Sequence, residues 1–176
     1  MASWPSSERI HFLYRTDQGR LDREEWRRGA LALLAILSPF VGMGLALAPY
    51  TDHDLSKTPL FDPMVALAYS YLIVFAIVAM LVAISFVNLS AKRFRAIGLQ
   101  RTSEGRPSLT DRLPPLALAS LIPLTAFLDG AAHWIQVRIE DVMPHWQVYP
   151  FDLCLVVVTA WTIYELGFAP ERGNST

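Results

Sequence analysis

Residues 64–89 read MVALAYSYLIVFAIVAMLVAISFVNL, a run without a single Asp, Glu, Lys, Arg or His. A helix rises ~1.5 Å per residue and the hydrocarbon core of a bilayer is ~30 Å thick, so about 20 such residues cross it. Residues 29–48 form a second uncharged run of sufficient length. Residues 151–168 form another apolar run, with Asp152 at its start and Glu165 near its end. Residues 113–128 are shorter and carry Pro114, Pro115 and Pro123. The fold expected from these runs is all-α: a polytopic integral membrane protein, one membrane domain, with four transmembrane helices. The third is short and kinked, and three spans with a re-entrant third segment is the rival count.

Composition points the same way. Of 176 residues, 53% are hydrophobic and 18% charged, whereas a soluble domain carries roughly a quarter charged residues. Mean hydropathy is positive. A single cysteine, Cys154, excludes an intrachain disulfide and is expected as a neutral, packed thiol within its apolar run. The net charge of −1 excludes a nucleic-acid binder that relies on bulk positive charge.

The helix ends are marked. Asp22 and Glu25 have the spacing of a capping box, and Leu21 with Trp26 that of a hydrophobic staple, so the first long helix is expected to start at Asp22. Asp62-Pro63 suits the start of the second, with Pro in the first helical position. That helix is expected to pass Lys92, Arg93 and Arg95 and stop at a Gly98 cap. Pro114 and Pro115 fit an opening turn, whose amides lack partners anyway; Pro123 predicts a kink.

Lys and Arg set the orientation. Residues 1–28 hold six of them and the basic loop 90–112 six more, with Arg172 in the tail 169–176. The segment 49–62 has only Lys57, and the outer loop 129–150 only Arg138. By the positive-inside rule both termini are expected in the cytoplasm. Aromatic residues are expected at both interfaces: Trp26, Phe94, Trp161 and Tyr164 inside, Tyr50, Tyr69, Trp134, Trp146 and Tyr149 outside. Ala46-Leu47-Ala48 resembles a cleavage site, but 28 residues of charged leader and a 20-residue apolar run exceed a signal peptide, so retention is expected.

Candidate sites are few. Glu165 is the one ionisable residue well inside a run, expected to pair with Arg93 or Arg95, with proton or ion handling as the sharper alternative. Asp129 and His133 are spaced i, i+4 with His145 beyond, but no third ligand stands at a metal-site spacing, so no metal is expected. Segment 131–143, with Trp134, is expected to lie as a short helix in the outer interface. The basic loop 90–112 is read as a topology determinant that also meets anionic headgroups. Arg20, Arg23, Trp26, Lys92, Arg93, Arg95 and Trp134 are the expected lipid or partner contacts. Ala79 and Ala83 form a small-xxx-small pair. The sequence has no P-loop, dinucleotide fingerprint, paired-Cys metal signature or Gly-x-Ser-x-Gly elbow, so neither an enzyme nor a cofactor is expected.

Gly19-Arg20-Leu21-Asp22-Arg23-Glu24-Glu25-Trp26 before the first run, and Lys92-Arg93-Phe94-Arg95-Ala96-Ile97-Gly98 after the second, resemble the YhaH-like bacterial inner-membrane proteins, domain-of-unknown-function family 805. The likeness covers most of residues 19–128 in order and spacing, carried by these two motifs. Arg95-Ala96 stands where the family has His-Asp, and the Ser-Gly-Trp that follows there is Leu99-Gln100-Arg101 here. The chain reads as a divergent member. The resemblance implies a bacterial inner membrane and no established activity. The expected role is a non-catalytic accessory or scaffolding subunit that meets lipids and other membrane subunits. The rival is a small transporter centred on Glu165. The inner segments 19–28 and 90–106 are expected to meet, with Arg20, Arg23 and Arg93 pairing to Asp22, Glu24 or Glu165 and to lipid phosphates.

Overall fold

The start of each long helix follows from a local signal. Asp22 caps helix α2 (Arg23–Leu47), its carboxylate accepting from the Glu25 amide at 2.6 Å. Leu21 and Trp26, the two staple residues, are both buried. Asp62 accepts from the Met64 amide at 2.8 Å and Pro63 opens helix α3 (Pro63–Ser103). The computed structural model describes residues 6–51, 62–103, 105, 112–138 and 144–168. Among these every regular element is helical. A short helix α1 (Ser7–Tyr14) precedes α2, and α4 (Pro115–Ala119), α5 (Leu121–Arg138) and α6 (Tyr149–Gly167) follow α3. Three helical stretches, Arg23–Tyr50, Pro63–Ser103 and His145–Gly167, are long and apolar enough to cross a membrane.

Helix α3 has 41 residues, about 60 Å at the helical rise, twice the hydrocarbon thickness. Its apolar part ends near Leu89 and the rest projects beyond. It does not stop at Gly98 as the sequence predicts. Ile97 is buried in the core and the Thr102 hydroxyl donates to the Gly98 carbonyl at 2.8 Å, so side-chain burial carries the helix on for another turn. The left-handed residue is Gly105, at φ 69°, whose amide donates to the Thr102 carbonyl at 3.1 Å.

Proline shapes the other helices. Pro39 lies inside α2 and has no N–H for the Ala35 carbonyl; the Ser38 hydroxyl donates to that carbonyl at 3.2 Å instead. The expected kink of the third segment falls at Ser120, between α4 and α5. Pro123 supplies no amide to the Ala119 carbonyl, and its ring crowds that group. Helix α5 then continues to Arg138, well past the expected end at 128. Ala131 to Arg138 is therefore a continuation of α5 rather than an interfacial segment, and 139–143 lie outside the described residues.

Helix α2 packs on α3 and α6, α4 on α3, and α5 on α6. The core lies at one end of these helices, where Leu21, Trp26, Leu33, Leu89, Phe94 and Leu166 meet. α2 and α3 touch closely at Gly29: a Cβ there would stand 2.9 Å from Leu89 Cδ1. Gly29→Leu is expected to cost about 1–3 kcal/mol by overpacking, read as a lower midpoint of unfolding in mixed micelles, whereas Gly42→Leu, where a Cβ meets nothing within 4 Å, leaves it in place. Leu31, Leu45, Ile73, Met80, Leu153 and Val156 point outward from α2, α3 and α6. Cys154 is also exposed rather than packed. Apolar faces of this extent suit lipid.

Candidate functional site

The cationic ends of α2 and α3 converge with α1 and the end of α6 into one platform. Three turns of α3 beyond Leu89 carry Lys92, Arg93, Arg95 and Arg101. Lys92 is fully buried beneath α1. Its ammonium donates to the Phe12 carbonyl and, at 3.1 Å, to that of Leu13, and lies 4.3 Å from the Phe12 ring centroid. Asn88 Nδ2 donates to the Tyr14 carbonyl at 2.9 Å. These groups satisfy carbonyls at the end of α1 that have no intrahelical partner. Arg95 donates to the Asp17 carbonyl and pairs with its carboxylate at 3.2 Å. Arg9 of α1 pairs with Glu25 of α2. The Tyr14 hydroxyl, held by burial above the ordinary tyrosine pKa, donates to the Gly29 carbonyl at 3.3 Å.

The chain passes from α1 to α2 through Gly19, at φ 104°, where a Cβ would approach Phe12 Cε2 to 2.8 Å. Both the backbone conformation and the close approach favour glycine at the head of the Gly19-Arg20 motif.

Arg93 is buried and its Nε donates to the Leu166 carbonyl at 3.2 Å. Trp26 Nε1 donates to Ser90 Oγ at 3.2 Å, and its ring meets Phe86 edge-on with centroids 6.5 Å apart. Phe94 stacks on Trp161 at 6.0 Å. Trp26 and Phe94 are thus inside the protein, not in an interfacial belt. Glu165 is buried and pairs with Arg101. The sequence reading pairs it with Arg93 or Arg95. Residues 93, 97 and 101 share one face of α3, so continuing the helix past Gly98 brings Arg101 along the same line. Asp22 serves as a cap and Glu24 pairs with Arg28 at 3.0 Å. Arg20 is exposed and Arg23 half-buried. The structure therefore gathers Trp26, Lys92, Arg93, Arg95 and Glu165 at the platform, and places Trp134 far along α5, 59% exposed.

The α5–α6 pair carries a second group. Asp129 and His133 lie one turn apart on α5, and Asp152 occupies the first turn of α6. His133 Nε2 is 2.9 Å from Asp152 Oδ1 and 4.0 Å from Asp129 Oδ1. One donor atom from each residue lies within 4.8 Å of the others. The sequence reading lacked Asp152 because 19 residues separate it from His133; only the antiparallel packing of α5 and α6 joins them. No family model, no curated protein and no solved structure matches the chain.

Proposed function

We propose that the protein is a non-catalytic accessory or scaffolding subunit of a bacterial inner membrane, crossing it four times with both termini cytoplasmic. Thirteen Lys and Arg residues on one side of the spans against two on the other support this orientation. For the fourth span, residues 115–138 form two helices broken only at Ser120, about 36 Å in all. Divergent membership of the YhaH-like family belongs to the same proposal. Its support is that the two motifs adjoin, Leu21 and Trp26 sharing a core with Phe94 and Ile97.

The observation that carries the scaffold reading is the use made of the buried cations. Lys92 and Arg93 donate to main-chain carbonyls of α1 and of Leu166, so they hold chain segments in place. They thereby fix α1 on the inner face with Ile10 exposed, a surface suited to a partner subunit. Glu165 gives ion handling no comparable support, its carboxylate being engaged by Arg101.

In-membrane photocrosslinking tests the proposal. A benzophenone side chain at position 10 is expected to give a discrete heavier species in native membranes, and one at Leu45, on the outward face of α2, none. Lys92→Met in the same chain is expected to abolish the adduct. No adduct from position 10, together with a lone 19.7 kDa species after mild-detergent extraction, would overturn the reading.

A further inference from the structure

The Asp129–His133–Asp152 group stands apart from the platform, and nothing in the scaffold role uses it. It joins two helices that the chain separates, and it does so with two carboxylates and one imidazole. Those are borderline-to-hard donors, the set that suits Zn²⁺, Mn²⁺, Fe²⁺ or Co²⁺; Mg²⁺ and Ca²⁺ prefer all-oxygen surroundings, and copper(I) prefers sulfur. We propose that Asp129, His133 and Asp152 bind one divalent first-row transition-metal ion, clasping α5 to α6.

Three observations carry the assignment. The first is distance. Metal–nitrogen and metal–oxygen bonds of about 2.0–2.2 Å place neighbouring donors roughly 3–4 Å apart. The separations of 2.9 and 4.0 Å from His133 Nε2, within a set spanning 4.8 Å, need only side-chain rotation to close on one ion. His133 then exchanges its hydrogen bond with Asp152 for a metal bond through the same nitrogen.

The second is an orphaned acceptor. Asp129 Oδ1 is buried with no N–H or O–H donor, and the group that faces Asp129 across the helix pair is the Asp152 carboxylate, a second acceptor. Buried acceptors are ordinarily satisfied, and His133 Nε2, the nearby donor, stands too far away to do it. An ion between the two fills that role. The third is access. The side chains of His133 and Asp152 are 47% and 43% exposed and stand within two turns of the ends of α5 and α6, so the protein leaves coordination positions open to small ligands such as water. Three protein ligands with water in the remaining positions form an open, exchangeable site rather than a closed structural one.

Cobalt(II) is the probe. Tag-free full-length protein in detergent, titrated with Co²⁺, is expected to develop visible ligand-field absorption saturating at one ion per chain. His133→Ala, Asp129→Asn and Asp152→Asn are each expected to weaken binding by about tenfold or more, because every ligand contributes directly to the affinity. Glu24→Gln, at an exposed ion pair of the platform, leaves it unchanged. Zn²⁺ or Mn²⁺ is expected to raise the melting temperature of the unmodified protein by preferential binding to the folded state. This readout stands even if a variant fails to fold. Non-saturating Co²⁺ absorption with no thermal shift, or full affinity retained in the three variants, overturns the proposal. A purely structural His–Asp clamp gives that first result while His133→Ala still lowers the melting temperature. Either outcome leaves the crosslinking at Ile10 unaffected, since that surface belongs to the opposite end.

Discussion

Trp26→Ala is expected to lower stability by about 3–5 kcal/mol, the range for removing a large buried aromatic side chain. The ring is 4% exposed and lies where α2, α3 and α6 converge. Its removal opens a cavity between Phe86 and Gly167; a Cβ on Gly167 would stand only 3.2 Å from the indole Cζ3, so α6 rests directly on this ring. It also takes the indole donor from Ser90, itself fully buried. Trp26→Phe separates these contributions: most of the packing is kept and the hydrogen bond is lost, for about 0.5–1.5 kcal/mol together with the smaller ring's void. Unfolding in mixed micelles, followed by circular dichroism, reads both. A loss under about 1 kcal/mol for the alanine variant would mean that the three helices do not depend on this contact, and the account of the core would fail. Trp134→Ala, at a ring 59% exposed on α5, serves as the contrast and should move the midpoint little.

The same tryptophan shows what a reader of the sequence sees and does not see. Its place beside Leu21 and Asp22 is local information, three to five residues of spacing, and the cap and staple form as those spacings require. The Asp62-Pro63 start and the opening turn at Pro115 are local in the same sense. What Trp26 packs against is not local. Ser90 lies 64 residues away, and only the pairing of α2 with α3 identifies it. The end of α3 failed for a related reason. Gly98 is a genuine stop signal, yet buried Ile97 outweighs it, and burial of that side chain depends on the rest of the fold. Once the helix runs on, Arg101 reaches Glu165, a partner that a helix ending at Gly98 would not offer. Helix α1 escaped notice because it has no fully buried residue; its fixation comes from α3. Asp152 was hidden likewise, since its partners sit on an antiparallel neighbour.

Lys92→Met is expected to release α1 while α2 to α6 stay folded. Methionine keeps much of the length and apolar volume of the lysine stem but has no donor to offer. The Leu13 carbonyl loses its side-chain donor, the Phe12 carbonyl keeps only the Thr16 hydroxyl at 3.1 Å, and the Phe12 ring loses the nearer of its two cations. A buried acceptor left without a donor costs about 1–3 kcal/mol. The docking of α1 is therefore expected to weaken by about 1–3 kcal/mol, roughly five- to a hundred-and-fiftyfold in its equilibrium. Amide exchange across Ser7–Tyr14 and tryptic cleavage at Arg15 should both accelerate, with exchange in α3 and α6 unchanged. Arg28→Met gives the opposite pattern. Its ion pair with Glu24 is exposed, and such pairs contribute about 0.2–1 kcal/mol, too little to free a helix. The remaining ties of α1 are the bonds from Asn88 to Tyr14, from Tyr14 to Gly29 and from Arg95 to Asp17, at its C-terminal end and beyond, and the Arg9–Glu25 ion pair, which is largely solvent-exposed and contributes about 0.2–1 kcal/mol, so together they hold the segment around Phe12 only weakly. If α1 keeps its protection in the methionine variant, apolar contact of Phe12 and Leu13 with the core must be what anchors it. The buried lysine would then have no structural purpose, and the reading of the platform as a holder of α1 would have to be abandoned.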